Sequence, residues 1–374
     1  MAGKTQNRLA LIRTNRGLSV AELAKRVGVI RQTIYAIETG SYVPNTEVAL
    51  RLARELETPV EELFQLSEAA GTSGPEPIAS EYLDTGVPSK GQAVRTGRVG
   101  SKLVSVPVSA APYHLPEADG VVASIQPGDR QPKVHLFSRR VADSKRLIVA
   151  GCDPAASVLA HMVERIGAAE VIHAPASSQL ALDWLRAGHV HFAGTHLEDS
   201  KTGEFNLPFV RRLFVRQDMA VITFAEWEAG FVVAERNPKA IQRVEDLARK
   251  NVRFVNRENG SGSRSLVDKL LKNAGLPAAN IRGYDRMVPG HLAAAYAVVS
   301  GEADCCVATR SAALAYSLDF IPLHRERYDF VLRRETLGLP QAKVFLDVLQ
   351  RADLRRKLET LAGYDTTKTG VVLD

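Results

Sequence analysis

Residues Gly28 to Gly40, GVIRQTIYAIETG, carry the pattern around which the rest of the chain is read. Val29, Ile34 and Ile37 fall on one face of a helix, and Arg31, Gln32, Thr33 and Tyr35 are left on the other. Such a helix packs on one side and offers forked and amide donors on the other. Toward the amino terminus, Leu9, Ile12 and the run from Arg13 to Arg16 predict a short helix ended by Gly17, with cations at its negative end. Ser19 and Glu22 have capping-box spacing. Leu23, Ala24 and Val27 then supply an apolar stripe, and Gly28 permits a tight turn into the Arg31 helix. Beyond Gly40, a loop containing Pro44 leads to helices over about Thr46 to Leu56 and from Pro59 through Phe64.

The runs LAKRVGV (Leu23 to Val29) and IETG (Ile37 to Gly40), at these spacings, resemble the Cro and phage-repressor helix-turn-helix family over Arg8 to Phe64. The resemblance implies an all-α, five-helix DNA-binding domain across residues 1–66 whose partner is a double-stranded operator. By it, Arg31, Gln32, Thr33 and Ala36 lie where the family touches base edges, with Tyr35 beside them. The chemistry agrees, since Gln pairs bidentately with adenine, Arg with guanine and a Thr methyl with that of thymine, each worth about 1–3 kcal/mol of discrimination. The helix amino ends near Ser19 and Ile30 suit phosphates. Two half-sites a turn apart call for a homodimer.

At 374 residues the chain has room for two or three domains. Its 45% hydrophobic and 24% charged residues are those of an ordinary globular protein, and a net charge of +6 permits an anionic partner. No apolar run approaches the roughly 20 residues of a spanning helix. Lys4, Arg8, Arg13 and Arg16 interrupt Met1 to Gly17, which has neither the apolar core nor the cleavage site of a secretory signal, so a cytoplasmic protein without a membrane partner is expected. Cys152, Cys305 and Cys306 make no even framework and no Cys-x-x-Cys pair, which excludes a disulfide scaffold and a zinc ribbon.

Residues 67–80, with AAGTSGPEP from Ala69 to Pro77, read as a linker. Residues 81–145 read as a small β-rich subdomain built on the runs Lys102 to Val108, Gly120 to Ile125 and Lys133 to Phe137, punctuated by Gly100, Pro127 to Asp129 and Pro132. Its scattered cations Lys90, Arg95, Arg98, Lys102, Lys133, Arg139, Arg140 and Lys145 read mainly as solvated surface charge. From Arg146 to Asp374 strand and helix patterns alternate, which predicts an α/β domain with a mostly parallel sheet. Its polar strand ends, Cys152 with Asp153, Ser177 with Ser178, Thr195 with His196, and Asn256 to Arg264, predict a ligand cleft. In the last of these, Gly260 and Gly262 allow close approach, Ser261 and Ser263 add hydroxyls, and Arg257 and Arg264 add forked donors at the start of a helix, a pattern suited to an anion.

The stretches AGCDP (Ala150 to Pro154), FAGTHL (Phe192 to Leu197), GEFNLPFVR (Gly203 to Arg211), FVNR (Phe254 to Arg257), GSGSR (Gly260 to Arg264) and GYDT (Gly363 to Thr366) resemble the periplasmic-binding-protein-like domain of molybdate-related regulators. The resemblance implies a two-lobed fold over residues 146–374 that closes on a small anionic ligand, with molybdate or tungstate as the family-level effector, while the two arginines also suit a larger molybdopterin-like, phosphorylated or carboxylated ligand. His189, His191 and His196 lack the acidic partner of a metal set, so no metal is expected, and His196 is assigned a hydrogen-bonding role at the cleft. Asp304 and His291 are placed in the second lobe, and adjacent Cys305 and Cys306 on opposite faces of a strand. No Walker loop, nucleophile elbow or His-Glu-x-x-His occurs, so a ligand-responsive DNA-binding regulator is expected rather than an enzyme. The alternatives are a molybdenum-cofactor enzyme with an autoregulatory head and a DNA-bound protein whose second domain only dimerises.

Overall fold

The computed structural model describes residues 5–66, 76–108, 115–126, 131–138, 145–166, 169–215 and 217–373. Residues 67–75 of the expected linker, the Pro127 to Asp129 turn, and Arg139 and Arg140 lie outside the described residues. The chain divides into two compact units, Met1–Ser73 and Gly74–Asp374.

In the first unit, β1 (Thr5–Asn7) precedes α1 (Leu9–Asn15), α2 (Val20–Val27), α3 (Arg31–Glu38), α4 (Thr46–Glu55), α5 (Val60–Leu63) and β2 (Phe64–Leu66). The five helices are as expected. The head is not purely helical, however, because β2 pairs antiparallel with β1 and ties its two ends together. Phe64 therefore belongs to a strand rather than to the last helix. The Ser19 capping box forms: Ser19 Oγ accepts from Glu22 N at 3.2 Å, and Ser19 N donates to Glu22 Oε2 at 2.8 Å. Gly28 takes φ +80, a left-handed turn that glycine adopts at least cost. Leu9, Leu23, Ala24, Val27, Ile34, Ile37, Leu52, Leu56 and Leu63 form the core. Arg13 braces α3 through Glu38, Nε to Oε1 at 2.6 Å.

The second unit opens with β3 (Ile78–Ala79), β4 (Glu81–Tyr82), β5 (Ala93–Val99), β6 (Lys102–Pro107), β7 (Gly120–Ser124) and β8 (Lys133–Leu136). They form one sheet in the order β3-β8-β7-β5-β6-β4. Ile78 and Ala79, assigned to the linker from sequence, are thus strand residues paired with Val134 and Lys133. The sheet is not a free-standing subdomain: Leu83, Val104 and Val106 share a core with Ile148 and Ile172 of the α/β portion. Buried Arg146 donates Nη1 to Asp119 Oδ2 at 2.6 Å and to Thr96 O at 2.8 Å. Two of the expected surface cations are spoken for, since Arg95 pairs with Glu170 and Lys102 Nζ donates to Ala187 O at 2.8 Å.

The remainder runs β9 (Arg146–Gly151), α6 (Ala156–Arg165), β10 (Glu170–Pro175), α7 (Ser178–Arg186), β11 (Phe192–Thr195), α8 (Leu207–Leu213), β12 (Met219–Val233), β13 (Asn256–Arg257), α9 (Gly262–Asn273), β14 (Met287–Val288), α10 (Gly290–Val299), β15 (Cys305–Thr309), α11 (Arg310–Ala315), β16 (Asp319–Arg333), α12 (Pro340–Leu349), α13 (Ala352–Ala362) and β17 (Val372–Leu373). The main sheet has the order β10-β9-β11-β16-β12-β15. Only β9, β10 and β11 are parallel neighbours; β16, β12, β15 and β17 pair antiparallel, so the sheet is mixed rather than mostly parallel.

The antiparallel part has a structural purpose. β12 and β16 are 15 residues each and pair along their whole length, with register shifts between Thr223 and Ala225 and between Ala229 and Gly230. At one end Ile222, Phe224 and Phe330 enter the core made by β9 to β11 with α6, α12 and α13. At the other, Phe231 and Val233 enter a core with Leu266, Val267, Cys305 and Val307. Two lobes therefore share a pair of crossing strands. Cys305 and Cys306 fall into separate cores on the two faces of β15, as alternation requires.

His191 gives the first lobe a pH dependence. Its Nδ1 accepts from Ile148 N at 3.0 Å, and burial holds its pKa down to about 4. The folded value lies below the unfolded one, near 6.5, so the contribution is full above pH 6.5 and is lost as pH falls toward 4, by about 3 kcal/mol. His191→Asn, whose Oδ1 can accept the same bond without titrating, is expected to flatten the fall in urea midpoint between pH 7 and 4.5. An unchanged pH profile would contradict this role.

Candidate functional site

Two surfaces carry the residues singled out from sequence, one in each unit. In the first, the buried stripe of α3 leaves Arg31, Gln32 and Tyr35 exposed, with Thr33 and Ala36 half-buried beside them. Ser19 is exposed at the amino end of α2 and Ile30 at that of α3, Ile30 being 66% accessible. A helix whose polar face is free of the fold, next to two helix amino ends, can lie against an anionic duplex.

In the second unit all four predicted strand ends meet where the lobes face each other. Gln179 N donates to Gly260 O at 3.1 Å across the gap. A Cβ on Gly262 would lie 2.4 Å from His196 Nδ1 and 2.6 Å from His196 O, so the start of α9 rests directly on the end of β11. Gly151 and Gly194 are required similarly, because a Cβ there would meet Tyr328 Oη at 2.1 and 1.8 Å.

The predicted residues divide into two groups by what they already bond. Ser177 Oγ caps α7 by accepting from Leu180 N at 3.3 Å, and Ser178 Oγ accepts from His196 N at 3.1 Å. Ser261 Oγ caps α9 and donates to Glu258 O at 2.8 Å, while Asn256 bridges Arg257 N and Tyr284 O. These four, with Gly260 and Gly262, build the frame. By contrast Thr195 Oγ1, Ser263 Oγ, Arg257 Nη1, Arg264 Nη1 and Asp153 Oδ2 are buried without a hydrogen-bond partner.

Arg257 is 1% exposed. It spends Nε and Nη2 on Glu258 at 2.7 and 2.8 Å, leaving Nη1 beside Cys152. Burial opposes its charge, but Glu258 and Cys152 outweigh burial and raise its pKa. Arg264 lies over the Tyr284 ring, 4.2 Å from its centroid. Burial raises Asp153 to about 7 despite bonds from Ala155 N and Tyr364 Oη, so this carboxyl is about half-protonated at neutral pH.

His196 is the hub. Nδ1 lies 2.7 Å from Glu326 Oε2, which also accepts from Trp227 Nε1 at 3.2 Å, and Nε2 lies 3.4 Å from Cys152 Sγ. Burial alone would lower its pKa, but Cys152 and Glu326 raise it to about 10. From the other lobe, buried His291 brings Nε2 to 3.7 Å from Cys152 Sγ. Burial, then the charges of Arg257 and His196, keeps His291 well below the usual histidine range.

The histidines weighed together from sequence do not assemble. His189 faces Glu81 at 3.5 Å, His191 bonds Ile148, and both precede β11 rather than lying within it. Asp304 is likewise structural, held by Arg253 at 2.9 Å. Sequence reasoning missed Trp227, Glu258, Glu326 and Tyr328. The available signals were a tryptophan inside the long apolar run of β12 and a carboxylate within the charged stretch of β16.

Residues 160–350, just over half of the chain, match the family described as the PBP superfamily domain. The chain belongs to the PBP superfamily. Ahead of that domain, residues 9–63 match the helix-turn-helix family. Over 186 residues the chain is 38% identical to the uncharacterized protein YvgK of Bacillus subtilis, a match that covers 50% of this chain and 60% of that protein. The chain thus spans less than two thirds of that relative's length. The head is 50% identical over 62 residues to an uncharacterized HTH-type transcriptional regulator of Methanothermobacter thermautotrophicus, covering 16% of this chain and 90% of that one. Among solved structures, PhnD1 of Prochlorococcus marinus in complex with methylphosphonate aligns with a TM-score of 0.44 at 14% identity, over 62% of this chain and 92% of that one. No helix among the described residues is long and apolar enough to cross a membrane.

Proposed function

We propose that this protein is a one-component transcription regulator: a homodimer whose α3 helices read an operator, and whose PBP domain binds a small oxyanion of the molybdate or tungstate class. The observation that carries the ligand class is the set of buried, unpartnered donors, Arg257 Nη1, Arg264 Nη1, Thr195 Oγ1 and Ser263 Oγ. Buried polar groups are rarely left unpaired, and each costs roughly 1–3 kcal/mol when it is. Gly262 and Ser263, the first two residues of α9, add N–H groups that have no partner inside the helix. The carboxylates nearby are answered: Glu258 by Arg257, Glu326 by His196 and Trp227, and Asp153 by Ala155 N and Tyr364 Oη. Surplus donors over acceptors select an anion.

The same closure links ligand to DNA. A ligand that prefers the closed lobes shifts the population toward them, and any difference in how the two arrangements present the heads changes operator affinity. Selection of bound duplexes from a random pool by the full chain, followed by calorimetry with molybdate, tungstate, phosphate and a phosphorylated cofactor, tests both halves. One enriched sequence and one oxyanion bound at one per chain are expected. No enriched sequence, or no heat from any of the four anions, would overturn the respective half.

A further inference from the structure

We infer that Cys152, His196 and His291 form a metal site of the zinc type that clasps the two lobes together. The three side chains come from the end of β9, the end of β11 and the first turn of α10, so the sequence separates them widely and only lobe closure gathers them. Their ligand atoms all lie within 4.8 Å of one another, and all three residues are buried. Both imidazoles turn the same nitrogen, Nε2, toward Cys152 Sγ, at 3.4 and 3.7 Å. A tetrahedral ion with its usual bond lengths to sulfur and to imidazole nitrogen separates those two ligand atoms by about 3.6 Å, midway between the observed distances.

Two features outside the three ligands fit the same reading. Glu326 Oε2 stands 2.7 Å from His196 Nδ1, and Trp227 Nε1 fixes that carboxylate in turn. A carboxylate behind a ligating histidine sets its tautomer and orientation, the usual outer partner of an imidazole on zinc. The second is charge. Zinc takes both imidazoles neutral, so with the ion bound a Cys152 thiolate and the Glu326 carboxylate place two negative charges in a buried site where Arg257 is already matched by Glu258, and the dipositive ion balances them. One thiolate and two imidazoles suit zinc over calcium or magnesium, which take oxygen ligands. Three protein ligands leave the fourth position of a tetrahedral ion open for an exchanging group. Resting on the oxyanion reading, we assign that position to the anion held by Arg257.

The test uses the full chain, stripped with a chelator and titrated with zinc chloride alone, no oxyanion present, against a competing chromophoric chelator. Expected are one zinc per chain and, with cobalt(II) substituted, a thiolate-to-metal charge-transfer band in the near ultraviolet. Cys152→Ser is expected to abolish the band, and His291→Gln to weaken zinc at least tenfold while circular dichroism shows the fold retained. Should Cys152→Ser fail to fold, the His291→Gln comparison and the band in the parent chain still decide. No stoichiometric zinc, a cobalt spectrum without the thiolate band, or zinc affinity indifferent to His291→Gln would overturn the site. Because oxyanion is omitted, that failure leaves the anion reading standing, and failure of oxyanion to bind the zinc-loaded chain would sink the anion reading alone.

Discussion

Gly262→Ala is expected to weaken ligand binding by the PBP domain roughly 100-fold while leaving its fold intact. Gly262 is the first residue of α9 and has an ordinary helical backbone, so alanine suits the position and favours the helix slightly. The obstacle is across the cleft: the new methyl would sit 2.4 Å from His196 Nδ1, 2.6 Å from His196 Cε1 and 2.6 Å from His196 O. Backbone cannot yield there, and the ring is pinned between Glu326 and Cys152. The lobes must part, so that Arg257 and Ser263 no longer share with Thr195 the contacts proposed to hold the ligand. Loss of two or more of those contacts corresponds to about 3 kcal/mol, or roughly 100-fold in affinity. Gly338→Ala, where an added methyl meets nothing within 4 Å, serves as the control. Calorimetry should show the loss in the first variant only, and equal affinity in both would remove the steric argument.

The second large effect belongs to the DNA head. Arg31 and Gln32 are exposed on α3, and neither contributes to its core of Ile34 and Ile37 with Leu23 and Val27. The double substitution Arg31→Ala with Gln32→Ala should therefore change thermal stability by less than about 0.5 kcal/mol. Specific binding should fall by about 1–3 kcal/mol for each lost bidentate pair, together on the order of 30-fold or more. Non-specific affinity, carried by phosphate contacts, should fall far less. Fluorescence anisotropy with the selected duplex and a scrambled one separates the two. An equal loss on both duplexes would mean that this face touches only the backbone.

The legibility of these features from sequence depends on how local each is. The helices of the head were readable because the capping box at Ser19, the turn at Gly28 and the period of Leu23, Ala24, Val27, Ile34 and Ile37 lie within a few residues of each other. The frame of the cleft was readable for the same reason: Gly260 to Arg264 starts a helix, and Cys152 to Asp153 ends a strand. β12 escaped notice because it is buried on both faces over most of its length, which erases alternation. β16 does not read as one strand, since Arg325, Glu326 and Arg327 resemble a loop. Those charges mark where the strand crosses the cleft, and Glu326 is needed there by His196. Pairing of Cys152 with His291 is set by closure of one lobe on another, which no local spacing encodes.

The most direct measurement is the reciprocal coupling between the two sites in the full chain. Operator affinity is titrated with and without saturating oxyanion, and oxyanion affinity with and without saturating operator. The expected result is the same factor in both directions, about 5- to 150-fold. An operator affinity unmoved by an oxyanion that calorimetry shows to be bound would contradict the proposal that the cleft governs the DNA-reading helix.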